Sequence, residues 1–292
     1  MLLLEKLSRK AHYASLESRQ NLSCLLNRQK FSVAAADQKI INDLRKDGVH
    51  VTNLAHLFGD DDSDDIAKVF ARAAADLDVT DKGVLPSYLQ KKTSSIDMEA
   101  NVILAKYPEL FFLCLSKRIL NLVESYLGMR SAYHGVALRR SLNDGLEIGP
   151  RLWHKDCEDF HVVRIIVYLN DVTKGGGPFE YLPRTYGLNY SQLKTVGGRL
   201  TNEDMLKIVP EIKMRPCYGK AGTVIICDSA NTFHHEKLQV TQQRSVAMFG
   251  FSSRLPKNRE LAQKHFPVEA LKDQLNPLLS SSQLPYVYGW RR

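Results

Sequence analysis

The sequence lacks the long hydrophobic run that a membrane span requires. No stretch approaches the roughly 20 apolar residues needed to cross a bilayer, and the opening apolar residues 1–4 meet Glu5 and Lys6 at once. That opening run is too short for the apolar region of a signal peptide, and no basic residues precede it. These features predict an intracellular, cytoplasmic protein without a membrane span.

Paired cysteines and blocks of basic residues are also missing. The five cysteines form no C-x-x-C pair and are odd in number, which argues against a disulfide framework or a thiolate zinc site. The net charge of +8, from 40 Lys+Arg and 32 Asp+Glu, is spread along the chain. A dispersed charge of this kind predicts a solvated surface and no nucleic-acid partner, while leaving room for a site that binds an anionic ligand.

The chain has enough apolar material for a globular core. Of its 292 residues, 44% are hydrophobic and 25% are charged, which is typical of soluble globular proteins. No internal repeat or flexible linker is visible, so we expect a single domain over 1–292. Its expected parts are a helical region over 1–128, a β core over 129–252, and a C-terminal helix and tail over 253–292.

Helical spacing dominates the first part. We expect a helix over 36–51 that stops at Asp47-Gly48, and a buried helix over 109–126. The acidic run 60–65 lacks the glycine and distal glutamate of a calcium loop. It is better explained as the start of a helix, with Ser63 or Asp64 as the N-cap.

From residue 129 the apolar pattern changes to short β-type runs separated by glycine-rich turns. Few helices separate these runs, which favours a sandwich or jelly roll over a parallel βαβ sheet. The expected strands cover 131–141, 151–154, 161–169, 178–182, 207–213, 223–227 and 244–251. A helix over 259–275 and an aromatic tail should follow.

An H-x-D motif and a distant histidine are the candidate metal-binding residues. His154 and Asp156 are two residues apart, so on an extended strand both side chains point the same way. A histidine from the later run 222–235 could complete a set of two imidazoles and one carboxylate. Such a set suits Fe(II) and leaves the remaining coordination positions open. Arg244 follows about ten residues beyond that run, and arginine suits the remote carboxylate of a dicarboxylic cosubstrate.

Several ordered motifs resemble one family. The segment 153–251 is similar to the phytanoyl-CoA dioxygenase family of Fe(II)/2-oxoglutarate-dependent oxygenases. The shared features are W-H-x-D at 153–156, Y-L-N-D at 168–171, G-P-F-E-Y-L-P at 177–183, the run 222–234 and Arg244. The stretches 44–49 and 123–128 resemble the helices that precede the family's core.

The resemblance implies a double-stranded β-helix (an eight-stranded jelly roll) and assigns roles to individual residues. His154, Asp156 and His234 match the metal ligands, and Arg244 matches the arginine that holds 2-oxoglutarate. The family spacing to Arg244 favours His234 over His235. Period-two counting places Arg164 and Tyr168 on one strand face, where both are candidate cosubstrate contacts. Arg139 or Arg140 could meet the near carboxylate, and His134 and His161 are expected to be core or pocket histidines.

The implied function is a dioxygenase that uses Fe(II), 2-oxoglutarate and O2 to hydroxylate, or otherwise oxidise, a small molecule. Retention of Asp156 favours hydroxylation, because related halogenases carry a small residue there. Two positions depart from the family: Arg184-Thr185-Tyr186 replaces Gly-Ser-His, and Glu236 replaces a small hydroxyl residue two positions after the second histidine. The alternatives are a non-catalytic jelly-roll binding protein and a nucleic-acid or protein demethylase of the same chemistry.

Overall fold

A computed structural model describes residues 2–27, 33–79, 94–188, 198–239 and 241–291. Its larger sheet has six strands in the order β1-β7-β4-β9-β3-β2, and its smaller sheet has three in the order β6-β5-β8. All the strand pairs are antiparallel. The strands are β1 (Val49–Asn53), β2 (Ser95–Asp97), β3 (Ser131–Ser141), β4 (Val163–Tyr168), β5 (Phe179–Leu182), β6 (Arg215–Cys217), β7 (Thr223–Asp228), β8 (Phe233–Glu236) and β9 (Arg244–Ser253).

The two faces of the six-stranded sheet pack against different partners. On β4, Val163, Ile165 and Val167 belong to the large core shared with the helices. The alternate residues Ile166 and Tyr168 pack with apolar side chains of the three-stranded sheet. This alternation follows from the two-residue period of a strand, and the face that Arg164 shares with Ile166 and Tyr168 therefore lies between the sheets.

Helices cover the outer face of the larger sheet. Buried apolar residues of α2, α4, α5, α6 and α7 join the large core. The helices are α1 (Leu2–Asn27), α2 (Ala35–Lys46), α3 (Leu54–Phe58), α4 (Asp60–Val79), α5 (Ala100–Lys106), α6 (Pro108–Leu113), α7 (Lys117–Leu127), α8 (Asn202–Leu206), α9 (Arg259–Gln263), α10 (Lys272–Leu275) and α11 (Leu284–Val287). Within the described residues, no helix combines the length and apolarity that a membrane crossing requires.

Several boundaries differ from those expected from the sequence. The helix expected over 109–126 is two helices, because Ser116 caps a new helix by accepting a hydrogen bond from the Ile119 amide. The acidic run starts α4 at Asp60, so neither Ser63 nor Asp64 is the N-cap. The expected strand 151–154 contains single bridges at Trp153 and His154.

Other differences concern the type or the extent of the predicted helices and strands. The strand expected over 207–213 is wrong, since this stretch follows α8 and includes a 3-10 turn over Glu211–Lys213. The region 1–128 is mostly helical but also contributes β1 and β2 to the six-stranded sheet. The helix expected over 259–275 is divided into α9 and α10, with Pro267 between them.

A bulge in β3 is needed where this strand passes a C-terminal aromatic residue. The register of β3 against β9 shifts between Tyr133 and Gly135. Gly135 has φ +98°, and a Cβ at this position would lie 2.4 Å from Cβ of the buried Phe266. Only glycine adopts this backbone conformation while leaving space for the phenylalanine.

We expect Gly135→Ala to destabilise the protein by roughly 2 kcal/mol or more, because it adds both backbone strain and a clash. Gly145→Ala is the matched control: Gly145 has φ +70°, but no atom lies within 4 Å of its Cβ position. The control should cost about 1 kcal/mol from strain alone. Urea unfolding of both variants checks the difference, and equal losses would contradict the role of the Phe266 contact.

Candidate metal centre

Two histidines from distant parts of the chain face each other across a β-bridge. The His154 amide donates to the His234 carbonyl at 3.0 Å, and the His234 amide donates to the His154 carbonyl at 3.0 Å. Directly paired residues on antiparallel strands project their side chains to the same side. The two ring centroids are consequently 4.4 Å apart.

Asp156 reaches the same point from the loop that follows His154. Its amide donates to the Ser229 carbonyl at 3.0 Å, which fixes the loop beside the end of β7. The Asp156 Oδ1 atom lies 3.7 Å from Nε2 of His154. One potential ligand atom from each of His154, Asp156 and His234 lies within 4.8 Å of the other two.

Both imidazoles are held in the form that binds metals. Nδ1 of His154 donates to the Leu152 carbonyl at 2.7 Å, and Nδ1 of His234 donates to the Thr232 carbonyl at 2.9 Å. A carbonyl can only accept, so each ring carries its proton on Nδ1 when neutral, and Nε2 offers a lone pair. Burial, with His234 nearby, lowers the pKa of His154 to about 3, and burial lowers the pKa of His234.

The carboxylate is oriented by two donors on one of its oxygens. Arg164 Nε donates to Asp156 Oδ2 at 3.0 Å, and Ser229 Oγ donates to the same oxygen at 2.7 Å. Burial opposes ionisation, but the Arg164 guanidinium and the two imidazoles hold the pKa of Asp156 well below its usual range. The carboxylate is therefore ionised, with Oδ1 facing the histidines.

Arg164 lies on the inner face of β4, as the two-residue period predicts, and its partners are two carboxylates and one histidine of the protein, His265, whose Nε2 lies 3.0 Å from Nη2. Besides Asp156 it donates to Glu158, which also contacts His265 Nε2 at 2.6 Å. Its guanidinium passes so close to Gly250 that a Cβ there would lie 2.3 Å from Nη1. The contacts observed for Arg164 orient Asp156, and its expected contact with a cosubstrate remains a prediction.

His235 lies on the opposite face of β8 from His234. Its Nε2 lies 2.9 Å from Glu180 Oε2, and its Nδ1 donates to the Arg151 carbonyl at 2.9 Å. Its ring stacks on Trp153 at 4.0 Å between centroids. Both ring nitrogens of His235 thus have partners away from the three converging residues, and the role of His234 as a metal ligand remains a prediction.

Arg244 is buried on the inner face of β9, and its guanidinium is paired with Glu236. Nη2 of Arg244 lies 2.5 Å from Glu236 Oε2. The Glu236 carboxylate also accepts hydrogen bonds from Ser141 Oγ at 2.8 Å and from the Gln239 amide. Burial opposes its ionisation, but Arg244 and these donors lower the pKa of Glu236. The sequence marks Glu236 as a departure from the family but does not predict this ion pair.

Tyr168 joins the two sheets. Its hydroxyl donates to the Cys217 carbonyl at 2.8 Å and accepts from the Phe179 amide at 2.9 Å. The residue is fully buried. These contacts account for its position on the inner face of β4, and a contact with a cosubstrate is a prediction that no contact here tests.

The three converging residues lie on a cavity of about 450 Å³ between the sheets. His134 lines it, as expected for a pocket histidine, and stacks in parallel on His265 at 5.6 Å. His161 contacts the buried Asp228 at 2.8 Å through Nδ1. The loop 184–200, expected to shape substrate choice, is described only over 184–188 and 198–200.

The structure adds residues that sequence reasoning missed. Ser229, Glu158 and His265 support Asp156 and Arg164. Glu158 and His265 lie outside the motifs shared with the family, and Ser229 lies in the run 222–234 without a role assigned to it. Ser229 does have one signal, because it follows directly after the strand 223–228. Asp97 was also missed; its carboxylate pairs with Arg139 through bonds of 2.6 and 2.8 Å.

Comparison with solved structures finds the same fold in other proteins. HygX from Streptomyces hygroscopicus with nickel and 2-oxoglutarate bound is 16% identical over 76% of this chain and 88% of that chain, with a TM-score of 0.52. EctD from S. alaskensis in its apoform is 20% identical over 76% and 78%, with a TM-score of 0.51. The epimerase SnoN in complex with Fe3+, alpha ketoglutarate and nogalamycin RO is 14% identical over 76% and 85%, with a TM-score of 0.52.

At these identities the similarity establishes a shared fold. No protein-family model matches the sequence, and no curated protein is similar enough to match it. The activity of this chain therefore has to be argued from its own residues.

We expect His234→Ala to abolish tight binding of a divalent metal, because one of three ligand side chains is lost. The matched control is His235→Ala, which removes an imidazole from the adjacent residue on the other strand face and should retain binding. Calorimetric titration of each apoprotein with Mn(II) or Co(II) checks this. Loss of binding in the control, with binding kept by His234→Ala, would reverse the assignment of the two histidines.

Proposed function

We propose that this protein is an Fe(II)-dependent oxygenase that uses 2-oxoglutarate and O2 to hydroxylate a small molecule. The observation that carries the proposal is the convergence of two neutral imidazoles and one ionised carboxylate on one point of a cavity wall. A set of two histidines and a carboxylate leaves several positions of a six-coordinate iron open. The fold shared with HygX and SnoN, whose structures contain a metal with the oxo acid, supports it.

The residues fit a divalent iron on chemical grounds. Both Nε2 atoms and Asp156 Oδ1 face a common point, and their second nitrogens or oxygens are held by the protein. Such outer contacts fix ring orientation and make ligand binding stronger. His154, Asp156 and His234 are therefore the proposed ligands.

We assign the two facing sheets to a double-stranded β-helix within a single domain. The ordered motifs from 153 to 251 support a relationship with phytanoyl-CoA dioxygenases. The antiparallel pairing of every strand supports the same assignment. Helices α2 to α7 pack on the outer face of the six-stranded sheet, so the cavity lies on the opposite face.

In this proposal the protein contributes positioning and shielding. When bound, the iron with 2-oxoglutarate and O2 would supply the hydroxylation of an unactivated C–H bond, with release of succinate and CO2. Arg164 and Ser229 hold Asp156 in one orientation, and the Leu152 and Thr232 carbonyls hold the two imidazoles. The cavity of about 450 Å³ suits a small-molecule substrate better than a macromolecule.

The remote end of 2-oxoglutarate does not fit the structure as it stands. Arg244, the residue proposed to hold the remote carboxylate, is already paired with the carboxylate of Glu236. A remote carboxylate at this position would have to share Arg244 with Glu236.

We expect the purified protein, supplied with Fe(II), ascorbate and oxygen, to release succinate from 2-oxoglutarate, and substrates to stimulate this release. Asp156→Ala should reduce succinate release to background, because a ligand and its charge are lost. Succinate is measured by chromatography, and circular dichroism checks that the variant folds. An unchanged rate in Asp156→Ala, or no release under any condition from a metal-loaded protein, would contradict the proposal.

A further inference from the structure

The inner face of β8 carries the metal ligand His234 and, two residues further on, Glu236. Two residues of strand span about 6.6 Å, a length comparable to that of a five-carbon oxo acid. Both side chains line the same cavity. A 2-oxo acid bound at the proposed metal through its keto acid end would thus extend toward the Glu236 carboxylate.

Glu236 is held firmly in this place. Arg244 Nη2 lies at 2.5 Å, Ser141 Oγ donates at 2.8 Å, and Arg151 Nε lies at 3.5 Å from the other oxygen. The side chain is 4% exposed. Four side chains from three separate segments, counting Gln239, therefore direct their donors at this one carboxylate.

The neighbouring arginine, Arg139, does not replace Arg244 as a partner for a remote carboxylate at this end of the cavity. Arg139, also on the inner face, is bound by Asp97 through both Nε and Nη2. The position that would receive a remote carboxylate is thus occupied by a carboxylate of the protein itself. A second carboxylate placed there meets like charge in a buried setting, where charges interact strongly.

We infer that Glu236 competes with the remote carboxylate of a 2-oxo acid for Arg244, and so determines which 2-oxo acids this enzyme binds. The inference rests on the proposed function. Glu236 lowers the affinity for 2-oxoglutarate, whereas a 2-oxo acid of equal length without the remote carboxylate does not compete with it. Glu236 is thus a specificity-determining residue for the cosubstrate.

The test compares binding of 2-oxoglutarate and 2-oxopentanoate, two five-carbon 2-oxo acids that differ in the remote carboxylate. Dissociation constants are measured by calorimetry with the Ni(II)-loaded full-length protein, so no turnover is needed. In the wild type, 2-oxoglutarate should bind no more tightly than 2-oxopentanoate. Glu236→Gln should tighten 2-oxoglutarate about tenfold or more, because one negative charge is removed, and should leave 2-oxopentanoate within about threefold.

Two further variants protect this test from a folding defect. Glu236→Ser removes the charge and opens space, so it should shift the ratio of the two dissociation constants in the same direction. Glu180→Gln is the matched control: Glu180 is a buried carboxylate on β5 that pairs with His235 and Lys237, and it is not among the residues that line the cavity. This control should leave the ratio unchanged.

The possible outcomes distinguish a wrong role for Glu236 from a wrong proposed function. If both Glu236 variants bind Ni(II) and both oxo acids with the wild-type ratio, the role of Glu236 is wrong and the oxygenase proposal stands. A wild type that already prefers 2-oxoglutarate by a hundredfold would also overturn it. If Ni(II) binds but neither oxo acid binds to any of the proteins, the proposed function fails and the inference fails with it.

Discussion

The site depends on one pair of backbone hydrogen bonds, between His154 and His234. These residues are 80 positions apart in the chain. His154 takes part in an isolated bridge, whereas His234 lies on the short strand β8, which pairs with β5 on its other side. Their mutual amide–carbonyl bonds set both the distance between the segments and the side to which the rings point. A shift of either segment by one residue would turn one imidazole to the other face. On β8 that shift would bring His235 into the place of His234.

The polar residues around the site form successive layers. The groups of each outer layer make hydrogen bonds or ion pairs with the groups of the layer inside it. The Leu152 and Thr232 carbonyls fix the imidazoles, and Arg164 with Ser229 fixes the carboxylate. Arg164 is itself held by Glu158, which also contacts His265 near α9. The C-terminal segment therefore takes part in the site, although it carries no ligand. Buried polar groups with complete partners hold one geometry, and this is the condition that metal ligands need.

The period of the apolar residues predicted those strands that show a clear alternation in their own sequence. The strand 131–141 is found with the expected ends, and the alternation of Arg164, Ile166 and Tyr168 places them on the inner face. Patterns failed where a contact distant in sequence decides the structure. The short β1 and β2 are strands because they pair with β7 and β3, and residues 207–213 have apolar spacing that suits either period.

The same distinction applies to the site. The H-x-D motif and the spacing to Arg244 indicated which residues converge, because motif residues keep fixed offsets along the chain. The partners of Arg164 and Arg244 could not be predicted in this way. Glu158 and Glu236 reach these arginines through the fold, and a sequence does not specify which of its acids lies beside a buried arginine. In the sequence, Glu236 is recognisable only as a departure from a family pattern, and its ion pair with Arg244 cannot be predicted from that departure.

In the proposed oxygenase, the charges inside the cavity would allow an anionic cosubstrate to bind even though Arg244 is paired with Glu236. The inner-face arginines Arg139, Arg164 and Arg244 each have a carboxylate partner from the protein. A divalent ion at the three ligands would add positive charge that these pairs do not balance, and a buried charge is costly unless it is paired. In the proposed oxygenase, the strongest attraction for an anion would then be at the metal, where a 2-oxo acid would present its near carboxylate. Affinity at the near end and selectivity at the remote end would therefore depend on different residues of the same strand, His234 and Glu236.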